Sequence, residues 1–366
     1  MSEIAMRHST RSEPPSSRLR MLTIVSALLL AATGAGPARA GVLGLERVSV
    51  SGADYVRLGE WAEKNGLTMV WRKKDDPIVV TNPAASLRFA PDSRKAQMNG
   101  VTVSLCLPVI NRNGVPWISL ADVETTLQPV LFPLKSRARV QTVCLDPGHG
   151  GSDKGEIAGD NFEKKYNLLL AQAVEKLLQA EGFKVVLTRT NDVFVDLAGR
   201  PAIAARAGAD LFVCLHYNSG PSSLRGIEVH CLPPAGMKSS NAGGGRGSEP
   251  AYPGNAQDSR NILLAYQVLK AITSVLPFED LGVKREHYKV LKEAPMPAIL
   301  IEGGFMTDPQ DAKKIYDADF RQRMARSIVD GIIAYKKAVE ESGPVAASGS
   351  LPVKPPGRAS PARSRD

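Results

Sequence analysis

The apolar run Val143-Cys144-Leu145 leads into Asp146-Pro147-Gly148-His149-Gly150-Gly151, so a buried strand ends in a glycine-rich turn that presents a histidine. The same design recurs twice: LFVCLH ends in His216 and AILIE ends in Glu302. Between these runs the pattern has helical period. Tyr166, Leu170, Val174, Leu177 and Leu178 share one face of a helix that stops at Gly182, and further helices are expected over Ile262–Val275 and Phe320–Lys337. Strands are expected at Val140–Leu145, Lys184–Thr188, Leu211–His216, Ile227–Leu232, Tyr288–Leu291 and Ala298–Ile301, several of them uninterrupted Val/Leu/Ile runs suited to strands covered on both faces. Alternation of this kind predicts an α/β fold, with a largely parallel central sheet of about six strands and helices on both faces. Ligands in such folds bind outside the carboxyl ends of the strands, which is where His149, His216 and Glu302 fall.

Two histidines and two carboxylates are the residue set of a hydrolytic zinc site: three ligands leave a fourth position for water, and the remaining carboxylate serves as general base. Each residue also has a plainer reading. A lone turn histidine is commonly held by a backbone carbonyl, and a glutamate in a first helical turn complements the helix dipole. Glu163, in Asn161-Phe162-Glu163-Lys164, is such a first-turn residue, with Asp160 or Asn161 as its expected cap; Glu156 competes with it as an acidic ligand nearer His149. Glu302 at a strand end costs several kcal/mol if buried without a partner. Asp146 either accepts the second ring N–H of His149 or shapes the turn. Arg200 and Asn218 either fix the site and substrate or are structural. His8, His230 and His287 lack comparable surroundings.

The motifs DPGHGGSDKG, TRTNDVFVDLAGR, LFVCLHYNS, GIEV and MPAILIEGGFMTD occur in this order between Val140 and Lys337. Together they resemble the zinc-dependent N-acetylmuramoyl-L-alanine amidases of the amidase-3 family. The resemblance implies one zinc ion held by His149, Glu163 and His216, with Glu302 as the catalytic base. It prefers Glu163 to Glu156, because the family ligand stands directly before a helix of this type. It also implies peptidoglycan as substrate, cleaved between the lactyl group of N-acetylmuramic acid and L-alanine. Leu281 stands before Gly282-Val283-Lys284 where the family often carries arginine, which touches substrate detail rather than the metal set. The competing readings are another exported zinc hydrolase, a peptidase or deacetylase, and a catalytically dead wall-binding protein. No His-Glu-x-x-His motif is present to favour a zincin peptidase.

Arg18 and Arg20, the apolar run Met21–Ala32 and Ala38-Arg39-Ala40 have the layout of a secretory signal over residues 1–40. The apolar run is shorter than the roughly 20 residues that span a membrane, so export to the periplasm or cell wall is expected, with no integral segment after cleavage. Net charge is +9, but residues 1–40 (five Arg, two Glu) and 342–366 (one Lys, three Arg, one Asp) hold most of it, leaving +3 on the rest. Without a basic helix or aromatic platform, nucleic acid is a poor partner. The Pro/Ser/Ala/Arg-rich stretch 342–366 reads as a disordered tail that could touch anionic envelope polymer. Four cysteines allow a Cys144–Cys214 bridge, although buried thiols fit their apolar runs better.

Residues 42–133 read as a small α+β unit ahead of a catalytic segment, 140–338, that is expected to act alone. The unit should contain a helix over Asp54–Asn65, strands at Thr68–Trp71, Ile78–Thr81 and Val101–Leu105, and tight turns at Asn99-Gly100 and Asn113-Gly114. Its NGVPWISLADV ending resembles the N-terminal module of copper amine oxidases, without a histidine cluster to hold copper. Some amidase relatives block their zinc with a helix inserted after the GIEV strand. Here that stretch, Pro233–Asp258, is rich in Gly and Pro and lacks an apolar face, so a flexible loop beside the site is expected, with no inhibitory helix.

Overall fold

The computed structural model describes residues 44–341. The leader (1–40) and the tail (342–366) lie outside the described residues. Apolar runs from the second half of the chain assemble into six neighbouring strands, ordered Lys184–Leu187, Thr142–Pro147, Leu211–Asn218, Ala298–Phe305, Ile227–Cys231, Asp280–Arg285. The first four run parallel; Ile227–Cys231 is antiparallel to Ala298–Phe305, and Asp280–Arg285 is parallel to Ile227–Cys231. The expected mixed α/β architecture with a largely parallel centre is present.

Period-two alternation divides these strands between two cores. Val143, Leu145, Val213, Leu215, Val229, Ile299 and Ile301 face the helices Glu163–Ala180, Asp258–Val275 and Ala318–Val339. Cys144, Phe212, Cys214 and Leu300 face the other way, into a smaller core with Ala204, Val290 and Leu291. All four cysteines are buried and free.

Two expectations on element type fail for identifiable reasons. Tyr288–Leu291 is not a strand: Lys289–Lys292 forms a short helix, and the sixth of these strands is Asp280–Arg285, whose polar DLGVKR concealed it. Asp54–Asn65 is not one helix either. Ala53–Arg57 is a strand that pairs with Val115–Ser119, and only Leu58–Lys64 is helical. The Asn-Gly pairs do turn the chain: Asn99, Gly100, Asn113 and Gly114 all have φ between 48° and 86°, as tight hairpin turns require.

The sheet does not end at Asp280–Arg285. That strand pairs in parallel with Val101–Arg112 through Val283 and Val103, and hairpins of the N-terminal region continue it into a 14-stranded sheet. Stretch Pro233–Asp258 carries no helix over residues 233–252, but it is not free of helix to its end: Pro253–Gln257 forms a short 3-10 turn and Asp258 opens the helix Asp258–Val275. It is nevertheless tied down rather than loose: Gly245 N donates to Cys106 O (2.8 Å), Ser240 N to Arg285 O (2.7 Å), and Arg94 Nη2 to Ser240 O (3.2 Å). These bonds hold it against Arg94 and Cys106 of the N-terminal strands and against strand Asp280–Arg285, and none of residues 233–252 lines the cavity described below. Deleting residues 236–250 is therefore expected not to raise the rate of the reaction that cavity carries. A several-fold rise in rate on that deletion would show that the stretch blocks the site.

Candidate metal centre

Asp-Pro-Gly-His leaves its strand abruptly, and His149 itself takes a positive φ of 60°. Two guanidinium groups stabilise this turn. Arg189 donates to the carbonyls of Pro147 (2.9 Å) and Gly148 (2.9 Å), and Arg200 donates to those of Pro147 (3.0 Å) and His149 (3.0 Å). Arg200 also pairs with the fully buried Asp146 (2.8 Å), which further accepts from Thr188 Oγ1 and Cys214 Sγ. Asp146 thus shapes the turn and does not bond the His149 ring. The ring's Nδ1 contacts Asp153 Oδ2 at 2.8 Å instead. Gly148 is sterically required, since a Cβ there would lie 2.2 Å from the His216 ring.

His216 lies two residues before the end of its strand, in register with Glu302 on the neighbouring strand. That neighbour runs to Phe305, so Glu302 sits within a strand rather than at its end. Glu163 is the first residue of its helix; neither Asp160 nor Asn161 caps it, and Phe162 occupies the cap position without a side-chain bond. From there Glu163 reaches both histidines, with Oε2 at 3.0 Å from His149 Nε2 and Oε1 at 2.9 Å from His216 Nδ1. One donor atom from each of the three residues lies within 4.8 Å of the others. Asn167 Nδ2 (3.0 Å) and the backbone N–H groups of Tyr217 (3.1 Å) and Glu156 (3.0 Å) donate to the Glu163 carboxylate. Burial alone would raise the Glu163 pKa, but hydrogen bonds from the two histidines outweigh it and hold the carboxyl well below its usual range. Glu156 contributes its backbone here and is not one of the three converging side chains.

The three residues, Glu302 and Asn218 line one cavity of about 690 Å³, with Phe194 and Leu197 on its rim. Glu302 Oε2 is buried without a hydrogen-bond partner. Burial, then the negative charges of Glu163 and Glu228, push its pKa well above the ordinary carboxylate value. Asn218 donates to Glu228 Oε1 (2.9 Å). Arg189 and Asp153 went unforeseen in the sequence, because each acts on His149 or its turn through folding alone. His230, dismissed for lack of context, is fully buried and bonds Glu228 (3.1 Å).

Residues 143–334, just over half of the chain, match the Amidase_3 family model, described as N-acetylmuramoyl-L-alanine amidase. The chain belongs to the Amidase_3 family. N-acetylmuramoyl-L-alanine amidase LytC of Bacillus subtilis is 35% identical over 225 residues, 62% of this chain and 41% of that protein. N-acetylmuramoyl-L-alanine amidase AmiA of Escherichia coli is 31% identical over 221 residues, 53% of this chain and 76% of AmiA. The matched region therefore spans less than half of LytC. A crystal structure of an N-acetylmuramoyl-L-alanine amidase from Clostridium difficile 630 covers 55% of this chain and 98% of its own, at 30% identity and a TM-score of 0.46. All the site residues described above fall inside the Amidase_3 match, and the strands of residues 44–133 precede it.

Proposed function

We propose that this chain is an exported zinc-dependent N-acetylmuramoyl-L-alanine amidase, which hydrolyses the amide between N-acetylmuramic acid and L-alanine in peptidoglycan. The supporting observation is one cavity that holds a His-Glu-His donor set beside an unpartnered buried carboxyl. The donors fit zinc: two imidazoles and a carboxylate converge, and the other nitrogen of His149 is held by a carboxylate, as in many zinc-bound histidines. Zinc held by His149, Glu163 and His216 would act as a Lewis acid towards the amide carbonyl and bring the pKa of water down towards about 7.

The remaining roles belong to the chain. Glu302 takes the proton of the attacking water on its free carboxylate oxygen and delivers it to the departing L-alanine nitrogen. Asp153 and the Arg189/Arg200 pair hold the His149 ring and its turn in place, and Asp146 anchors Arg200. Phe194 and Leu197, 57% and 55% exposed, offer an apolar rim to the substrate. Leader-directed export matches a wall substrate; among the described residues, no helix is long and apolar enough to cross a membrane. Contact of the basic tail with anionic envelope polymer belongs to the same proposal.

Mass analysis of products from purified murein tests the reading. Free stem peptides beginning with L-alanine, and glycan strands with intact lactyl groups, are expected. Release of acetate, or cleavage within the peptide, would replace it with a deacetylase or peptidase. His149→Ala and His216→Ala should each lose bound zinc and murein hydrolysis together, read by metal analysis of the purified proteins. Full zinc content in either variant would remove that residue from the ligand set.

A further inference from the structure

Two carboxylates face each other across neighbouring strands. Glu228 and Glu302 are direct register partners in the antiparallel pair Ile227–Cys231 and Ala298–Phe305, so their side chains leave the same face of the sheet at adjacent positions. Their surroundings are opposite. Glu228 is contacted by Asn218 Nδ2 (2.9 Å), His230 Nε2 (3.1 Å) and the Lys284 ammonium, whereas Glu302 Oε2 has no partner. His230 and Lys284 are themselves register partners and stand one pleat from the Glu228–Glu302 pair on the same face. The cation nearest this carboxylate pair is thus bound to one member and withheld from the other.

We propose that Glu228 is a positioning residue that sequesters Lys284, and with it His230 and Asn218, so that Glu302 keeps an unpaired carboxylate for the reaction. This inference rests on the amidase reading and on Glu302 as its base. It gives GIEV and GVK, which supply no metal ligand, a joint role as a carboxylate–lysine pair. Like charges placed opposite each other destabilise a sheet, so without Lys284 this arrangement would carry a penalty. An ion pair formed on Glu302 instead would occupy the lone pair that must accept the water proton. Lys284 is on a flexible four-carbon stem, and losing Glu228 frees its ammonium to swing to the next carboxylate along the row.

The test is a suppressor experiment on the full chain. Glu228→Gln should keep zinc and the KM for murein, and lose kcat by about 10-fold to 100-fold, a part of what a general base contributes. Adding Lys284→Met to that variant should recover most of the lost kcat, because the liberated cation is then absent. Losing one partner of a buried pair can also destabilise the fold, and losing both can relieve that, so thermal melting is read beside kcat: Glu228→Gln should keep its zinc and melt close to the unaltered chain while kcat falls. Three results would overturn the proposal: unchanged kcat in Glu228→Gln, a melting temperature that falls in Glu228→Gln and recovers in step with kcat, or a double variant no faster than Glu228→Gln alone. If the unaltered chain released no stem peptides from murein, the amidase reading itself would fail, independently of Glu228.

Discussion

Glu302→Gln is expected to bind zinc normally and to hydrolyse murein about 10²-fold to 10⁴-fold more slowly, the range removed with a general base. Glutamine keeps the shape and burial of the residue but cannot accept a proton. The three donor atoms at His149, Glu163 and His216 belong to other side chains, so metal content should be unchanged. A second readout follows from burial. In the metal-free protein the Glu302 carboxyl has a folded-state pKa raised by desolvation and by the charges of Glu163 and Glu228. A raised acid pKa favours the folded state fully below the unfolded value, near 4.3, and that contribution is lost as pH rises towards the folded pKa. The apo glutamine variant should therefore melt above apo wild type at pH 7, and the difference should shrink as pH falls from the raised folded pKa and be gone below about 4.3. Near-normal turnover would remove Glu302 as base. A lower melting temperature at pH 7 would show that the carboxylate has a stabilising partner after all.

The sequence showed this chemistry more clearly than it showed the fold's edges. His216 and Glu302 were legible because each follows a run of apolar residues that has few conformations other than a buried strand, and a polar side chain there demands a reason. His149 was legible for the glycines that let its turn form. Glu163 was not decided by local pattern; it needed a family resemblance, because Glu156 and a dipole role explain the same letters. Strand Asp280–Arg285 was missed since four of its six residues are polar or Gly, while Tyr288–Leu291 mimicked a strand over four residues. Pairing made the difference: DLGVKR is a strand because Ile227–Cys231 lies beside it with complementary register. The same holds for Arg189 and the Glu228–Lys284 pair, whose roles exist only once distant segments meet, whereas Asp153 stands four residues from His149 and is brought to its ring by the local turn.

The sequence suggests a catalytic segment that stands alone, yet the shared sheet leads to the opposite expectation for residues 140–341 expressed without 44–133. The loss would begin at Arg285, which is 1% exposed. Its guanidinium donates to Thr125 O (2.7 Å) and Thr126 Oγ1 (3.0 Å), with the buried Asp122 carboxyl nearby. Removing the partners of a buried charge costs about 3–5 kcal/mol. Asp280 would lose the Thr102 N–H (2.7 Å), and strand Asp280–Arg285 its neighbour Val101–Arg112. Helix Asp258–Val275, packed on Val123–Leu131 and on Val101–Arg112, would bare part of its apolar face, and Tyr266 would lose its bond to Met98 O. Each large apolar side chain exposed costs about 1.5–3 kcal/mol, so three or four of them plus Arg285 match the roughly 5–15 kcal/mol of a whole domain. Truncation should therefore give insoluble or molten protein with no cooperative thermal transition by circular dichroism. A cooperative melt within a few degrees of the full chain, with murein activity retained, would show that the first region is a separable accessory and that Arg285 finds its partners elsewhere.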